Sequence, residues 1–317
     1  MTVLSAGTSS ECSRPTCFVP DTPCVLGFDE SCDHLATSPA DAAETYEIGG
    51  RALPWSGLAL GLSDLFPIVA TARPHVIGIV GAAGAGKTTL LAAHWVAARR
   101  GIGSFGRRFA GSYTLSGWHQ IAHHLQWIPW GSGFPPHTSA MNGRSPALLH
   151  FGLNSPGQTP KQLLYTDAPG EWFTQWAEEP SEAEGAQWVA NHADAFVLLA
   201  DSDALSGPHR GVARAEYESL AIQLATTAQK RVVVPVLAKA DIPVPEPIAA
   251  FLTNLNKRLF GRETILVSVK STAFQPITAP IDQGVEAALL GRYASTYEND
   301  DGWARQVAPR INSRFRA

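Results

Sequence analysis

The sequence contains no apolar run near the roughly 20 residues that cross a bilayer, so no membrane-spanning helix is expected. Charge is sparse as well. Asp, Glu, Lys and Arg make up 16% of the residues, against about a quarter in ordinary globular chains. Neither sign dominates: 24 basic and 28 acidic residues leave a net charge of −4, which excludes the broadly basic surface of a nucleic-acid binder. Only Arg305, Arg310, Arg314 and Arg316 form a locally basic stretch, read as a solvated tail. The opening residues Met1-Thr2-Val3-Leu4-Ser5 lack the basic-then-apolar order of a secretory leader. These absences suggest a cytoplasmic protein with no membrane partner and no specific nucleic-acid partner.

Cysteine is missing from almost the whole chain. All four cysteines, Cys12, Cys17, Cys24 and Cys32, fall in the first 32 residues, with four, six and seven residues between them. These are not the C-x₂-C pairs of zinc ribbons. Disulfides are rare in the cytoplasm, however, and four thiolates can close a tetrahedral structural zinc site in a segment too short to have its own core. Zinc is the favoured reading, with His34 a spare ligand; free thiols or oxidised pairs are the alternative.

Against this background stands Gly81-Ala82-Ala83-Gly84-Ala85-Gly86-Lys87-Thr88, a complete G-x-x-x-x-G-K-T phosphate loop. The apolar run 75–80 leads into it and Thr89-Leu90-Leu91-Ala92-Ala93 follows, as a strand–loop–helix unit requires. The glycines let backbone N–H groups turn inward around phosphates. Lys87 is then placed to reach the outer phosphates, and the Thr88 hydroxyl to bind Mg²⁺.

Further strands are expected over residues 147–153 and 162–166, joined as an antiparallel pair, and over 195–200, 231–237 and 264–269. The last three are continuous apolar runs, suited to a sheet buried on both faces, although Pro235 counts against one of them. Helices are expected over 87–100, 117–127, 181–192, 212–228, 248–260 and 284–293, with another over 58–70 limited by Pro67. The alternation predicts a three-layer α/β fold with a mostly parallel sheet. The expected organisation is a Cys-rich element and linker at 1–45, one nucleotide-binding domain at 46–298 and a basic tail at 299–317.

Three further motifs sit at the ends of expected strands. Asp167-Ala168-Pro169-Gly170 is a D-x-x-G element: Asp167 can hold Mg²⁺ through water, and Gly170 can bring its N–H against a terminal phosphate. Ala238-Lys239-Ala240-Asp241 follows the strand at 231–237. The Asp241 carboxylate can accept two hydrogen bonds from guanine, a pair that adenine does not offer, while the Lys239 stem can pack along the base. Ser268-Val269-Lys270 can present a backbone N–H to the guanine oxygen. A mobile switch also needs a Thr whose hydroxyl completes the Mg²⁺ shell when the terminal phosphate is present. Thr138 is favoured by its place in the long loop at 128–145, and Thr114 is the rival.

In this order the motifs resemble the translation-factor-related (TRAFAC) class of P-loop GTPases, with a Ras-like G domain, over about residues 75–295. More narrowly, Asp167-Ala168-Pro169-Gly170-Glu171-Trp172-Phe173, Trp176 and Ala193-Asp194-Ala195-Phe196 resemble the double-GTPase proteins of bacterial conflict systems. That resemblance implies a GTP/GDP-binding, Mg²⁺-dependent hydrolase working beside other proteins of a defence or stress system. It also includes a Cys-rich N-terminal element. The chain departs from the class at two positions. Ala238 replaces the Asn or Thr that ties the base loop to the phosphate loop, which leaves ATP as an alternative. Glu171 replaces a water-orienting Gln or His, so slow unaided turnover is expected; a binding module that holds nucleotide for structure is a separate alternative. Trp172, Trp176 and Trp188 are read either as a partner surface or as core.

Overall fold

Three of the apolar runs marked as strands lie side by side in the middle of one sheet. A computed structural model describes residues 57–70, 72–103, 107–125, 146–154, 159–271 and 273–290, together with four short strands nearer the start. The chain divides into two units, Met1–Pro54 and Trp55–Ala317. In the first unit β1 (Glu11–Cys12) pairs antiparallel with β2 (Leu35–Ala36), and β3 (Glu47–Ile48) with β4 (Arg51–Ala52).

The second unit begins with a 3₁₀ turn, Leu62–Leu65, and the single-turn α1 (Phe66–Val69). There follow β5 (His75–Gly81), α2 (Lys87–Arg99), β6 (Arg108–Phe109), α3 (Leu115–His123), β7 (Leu148–Asn154) and β8 (Lys161–Thr166). Next come α4 (Gly170–Glu178), α5 (Glu184–His192), β9 (Ala195–Asp201), α6 (Ser202–Ser206) and α7 (Arg210–Ala228). The described part ends with β10 (Val232–Ala238), α8 (Glu246–Phe260), β11 (Ile265–Val267) and α9 (Phe274–Leu289). Among the described residues no helix is long and apolar enough to cross a membrane.

The sheet has seven strands in the order β11-β10-β9-β5-β8-β7-β6. From β11 to β8 the pairs are parallel. The β7–β8 pair is antiparallel, as the Gly/Pro connection predicted, and so is β6–β7. Side chains alternate between the faces, as a strand requires. Phe196, Leu198 and Ala200 join one core with α4, α5 and α7, whereas Ala195, Val197 and Leu199 join a second core with α2 and α9. Three layers result, with a sheet buried on both faces. On the second face Trp95 of α2 stacks on Trp118 of α3 at 5.6 Å, and its edge meets Phe109 at 5.0 Å. Such pairs contribute about 0.5–1.5 kcal/mol each beyond burial, and they hold α2 against the β6–β7 edge.

Several boundaries differ from the sequence reading. The last helix starts at Phe274, ten residues before the expected 284, and contains Pro280. Pro276 sits in its first turn, where no helical N–H partner is needed; Ile277, Ile281, Val285 and Ala288 supply the buried face. Pro235 lies inside β10, but pairing with β11 begins only at Val236, so one edge is open at the proline. The expected helix at 58–70 is two short turns, with Pro67 at the head of α1. The expected helix at 117–127 runs from Leu115 to His123, and α4 forms where no helix is expected.

His94 of α2 is fully buried, with its ring against Phe151 and Tyr165. Burial pushes its pKa down from 6.5 to about 4, against the opposing pull of Asp282. The folded pKa lies below the unfolded one, so its contribution is complete above about pH 6.5 and is lost as the pH falls towards 4. Burial lowers His75 and His150 in the same direction. Denaturant midpoints at pH 7.5 and pH 4 should therefore differ, with His94 accounting for about 3 kcal/mol. His94→Gln, which cannot titrate, should show a smaller loss on acidification.

Candidate functional site

The phosphate loop leaves β5 at the centre of the sheet, where the chain's path reverses from one side to the other and α/β folds place ligands. Gly84 and Gly86 have φ of 73° and 89°, a region open to glycine and rare for other residues. Gly86 caps α2, and the Leu90 N–H donates to its carbonyl at 2.9 Å. Lys87 is 6% exposed, and its ammonium donates to the Gly81 and Ala82 carbonyls at 3.0 Å each. Burial lowers its pKa to about 8, while Asp167 and Glu171 act to raise it.

Beside the loop, β8 delivers Asp167. The Thr166 hydroxyl accepts the Ile79 N–H at 2.8 Å, tying the strand ends together. The Thr88 hydroxyl donates to Asp167 Oδ1 at 2.7 Å. Burial raises the Asp167 pKa, opposed by Thr88 and Lys87. Pro169 then caps α4, whose first residue, Gly170, lies on the phosphate loop: a Cβ there would run into the Ala82–Ala83 backbone. Glu171 is exposed in the first turn of α4, where a helix favours negative charge.

The third wall comes from the ends of β10 and β11. The Ala240 N–H donates to the Val267 carbonyl at 3.0 Å and the Ile242 N–H to the Lys239 carbonyl at 2.9 Å, closing a turn that presents Asp241. Asp241 accepts from Ser268 Oγ and Lys270 Nζ at 2.7 Å each, and these bonds hold its carboxyl down at about 2. Ala238 is buried at the end of β10; a Cβ built at Gly86 would lie 3.9 Å from its methyl. Where the resembled class has a polar tie, this chain offers only the Ala238 methyl on the Gly86 side.

One cleft of about 440 Å³ joins the three walls. Ala83, Gly84, Gly86, Lys87, Thr88 and Thr89 line it from the loop, Gly170 and Glu171 from α4, and Lys239, Asp241, Val269 and Lys270 from the far side. Other residues singled out in the sequence stand just behind this lining. Asp167 touches Thr88, Ser268 touches Asp241, Gly81 and Ala82 accept from Lys87, and Ala85 is buried beneath the loop. Thr138, Cys17, Cys24 and Cys32 lie outside the described residues, and Cys12 is described only as a backbone position in β1. Thr114 is fully buried; its hydroxyl accepts the His150 N–H at 2.8 Å, so it serves the α3–β7 junction and does not line the cleft. Trp176 is core, while Trp172 and Trp188 are partly buried against the same core.

Sequence reasoning missed Leu199, Val236, Ile242 and Asp203, which also line the cleft, and Asp201, whose Oδ2 accepts from Lys239 Nζ at 2.8 Å. The available signal was Asp201-Ser202-Asp203 at the end of an apolar strand, the same placement that drew attention to Asp167. Asp194 pins the start of β5: its Oδ2 accepts the Val76 N–H at 2.8 Å and its Oδ1 accepts from Arg73 at 2.7 Å.

Among the described residues no group of three or more His, Cys, Asp or Glu side chains is placed to hold a metal ion. The Thr88–Asp167 pair offers oxygen ligands of another kind. Mg²⁺ takes one or two protein oxygens and completes its shell with phosphates and water, so this pair fits it.

The close approach of Gly170 makes a test of the site's assembly. Gly170→Ala must displace either the phosphate loop or α4, at a cost of about 1–3 kcal/mol. A lower melting temperature together with loss of triphosphate binding is expected, read by thermal unfolding and titration calorimetry.

No curated protein matches the sequence. Comparison with protein families matches residues 75–292 to the family described as Double-GTPase 2. The matched stretch contains the described cleft-lining residues, the seven-stranded sheet and every helix from α2 to α9. The chain belongs to the Double-GTPase 2 family, a family of P-loop GTPases.

Proposed function

We propose that the chain is a Mg²⁺-dependent GTP-binding switch that hydrolyses GTP slowly unless a partner assists. The observation that carries this reading is the single cleft in which the phosphate loop, Gly170 and the Lys239–Asp241 turn face one another. In it the loop amides of residues 81–86 and the Lys87 ammonium hold the phosphates, with Thr89 at the start of α2 beside them. Asp241 accepts from the guanine edge, the Lys239 stem packs along the base, and the Ser268-Val269-Lys270 backbone meets the guanine oxygen. Thr88, with Asp167 behind it and Thr138 from the switch, would hold Mg²⁺, which offsets phosphate charge when bound. Gly170 reads the terminal phosphate, and α4 carries the response outward.

Glu171 sets the rate. A carboxylate repels the terminal phosphate and orients water poorly, so unaided turnover is on the order of 10⁻⁴ s⁻¹, as in unassisted small GTPases. Its exposed place in the cleft also favours a second reading, a nucleotide-stabilised binding module with little hydrolysis. The resemblance to bacterial conflict-system proteins supports a cytoplasmic location and partners from the same system. Structural zinc at Cys12, Cys17, Cys24 and Cys32 rests on the cysteine pattern; stoichiometric zinc in purified protein is expected, and its absence would remove this element.

GTP or GDP with Mg²⁺ should stabilise the protein by about 2.7 kcal/mol at a hundred times the dissociation constant, read as a rise in melting temperature. ATP should not; the reverse preference would overturn the guanine assignment. Asp241→Asn should weaken GTP at least about tenfold and favour xanthosine triphosphate, because the amide reverses one hydrogen-bond polarity. Single-turnover phosphate release separates the two readings: no release under saturating Mg²⁺ and candidate partners would favour the binding module.

A further inference from the structure

The base-side turn has a polar anchor in an unexpected place. Ala238 has no side chain with which to bond the phosphate loop. In the sheet register its neighbour on β9 is Asp201. The next residue, Lys239, has φ of 55°, uncommon for a residue with a side chain. Its ammonium crosses to Asp201 Oδ2 at 2.8 Å, while Asp201 Oδ1 accepts the Asp203 N–H at 2.9 Å and caps α6. One carboxylate, with a side chain 12% exposed, thus binds the first residue of the base turn and the helix beginning beside it. The turn is short: Ile242 N–H closes on the Lys239 carbonyl at 2.9 Å, with Asp241 inside it. Holding Lys239 therefore holds the backbone that presents Asp241.

We propose that Asp201 is a positioning residue for guanine, acting through Lys239 in place of the polar tie that Ala238 lacks. The inference rests on the reading of the cleft as a guanine-nucleotide site. The Lys239 stem is long and rotamer-rich, so without Asp201 it would sample solvent instead of lying along the base. The phosphate side, held by Lys87 and the loop, does not depend on this pair, so the effect should be confined to the base.

Asn caps a helix about as well as Asp but carries no charge, so Asp201→Asn removes the ion pair and keeps the cap. Full-length wild type, Asp201→Asn, Lys239→Met and the double variant would be titrated with GTP and with tripolyphosphate, and melted. Asp201→Asn should keep its melting temperature, weaken GTP about fivefold and leave tripolyphosphate unchanged. Lys239→Met should weaken GTP at least as much, and adding Asp201→Asn to it should weaken GTP no further, because partners in one interaction are non-additive. Unchanged GTP affinity in Asp201→Asn, equal weakening of GTP and tripolyphosphate, or additive effects would overturn the proposal. If Asp201→Asn does not fold, Lys239→Met decides: an unchanged GTP-to-tripolyphosphate ratio overturns it. Wild type that binds tripolyphosphate but not GTP overturns the guanine reading itself, and this inference with it.

Discussion

The site depends on the parting of two strands. β5 and β8 run as a parallel pair only from His75↔Leu163 to Ile77↔Tyr165, whereas β5 stays paired with β9 as far as Gly81↔Leu199. Beyond Ile77 the Thr166 hydroxyl takes the Ile79 N–H, so the strands separate without leaving a buried donor unpaired. The gap admits the Thr88–Asp167 contact and the approach of Gly170 to the phosphate loop. A ladder continued to the strand ends would close that space.

What enters the gap is charge removed from water. Burial disfavours the ammonium of Lys87 and the carboxylate of Asp167, and each helps the other to stay ionised. Such a pair adds little to stability, since desolvation offsets much of the attraction. Lys87 donates to the Gly81 and Ala82 carbonyls, while the Asp167 and Glu171 charges favour its ammonium. An incoming polyphosphate supplies the negative charge that favours the ammonium, and binding draws on an interaction the protein alone satisfies only in part. The apolar cores on either side of the sheet supply the rigidity that holds these groups in place.

Much of this was legible along the chain. The central strands were readable because they are buried on both faces and so appear as unbroken apolar runs. The phosphate loop was readable because its glycines are required by backbone conformation. The start of α9 was not legible: Pro276 and Pro280 lie ahead of the expected residue 284, yet their places make both tolerable, one in a first turn and one within a helix held by its buried face. Asp201 was passed over because a lone Asp at a strand end is ordinary until its neighbour is known. Placement in the long loop favoured Thr138 over Thr114; the buried bond to His150 gives Thr114 a structural task, and Thr138 lies outside the described residues.

The sequence by itself determined the class of ligand and the order of the motifs, because a glycine-rich turn, a strand-end carboxylate and a buried apolar strand each carry a local physical requirement. Only the tertiary structure decided that residues as far apart as Lys87, Gly170 and Asp241 line one cleft, that Thr88 meets Asp167, and that Asp201 holds Lys239. Those contacts follow from strand order and register, which bring distant strand ends together and which no local pattern encodes.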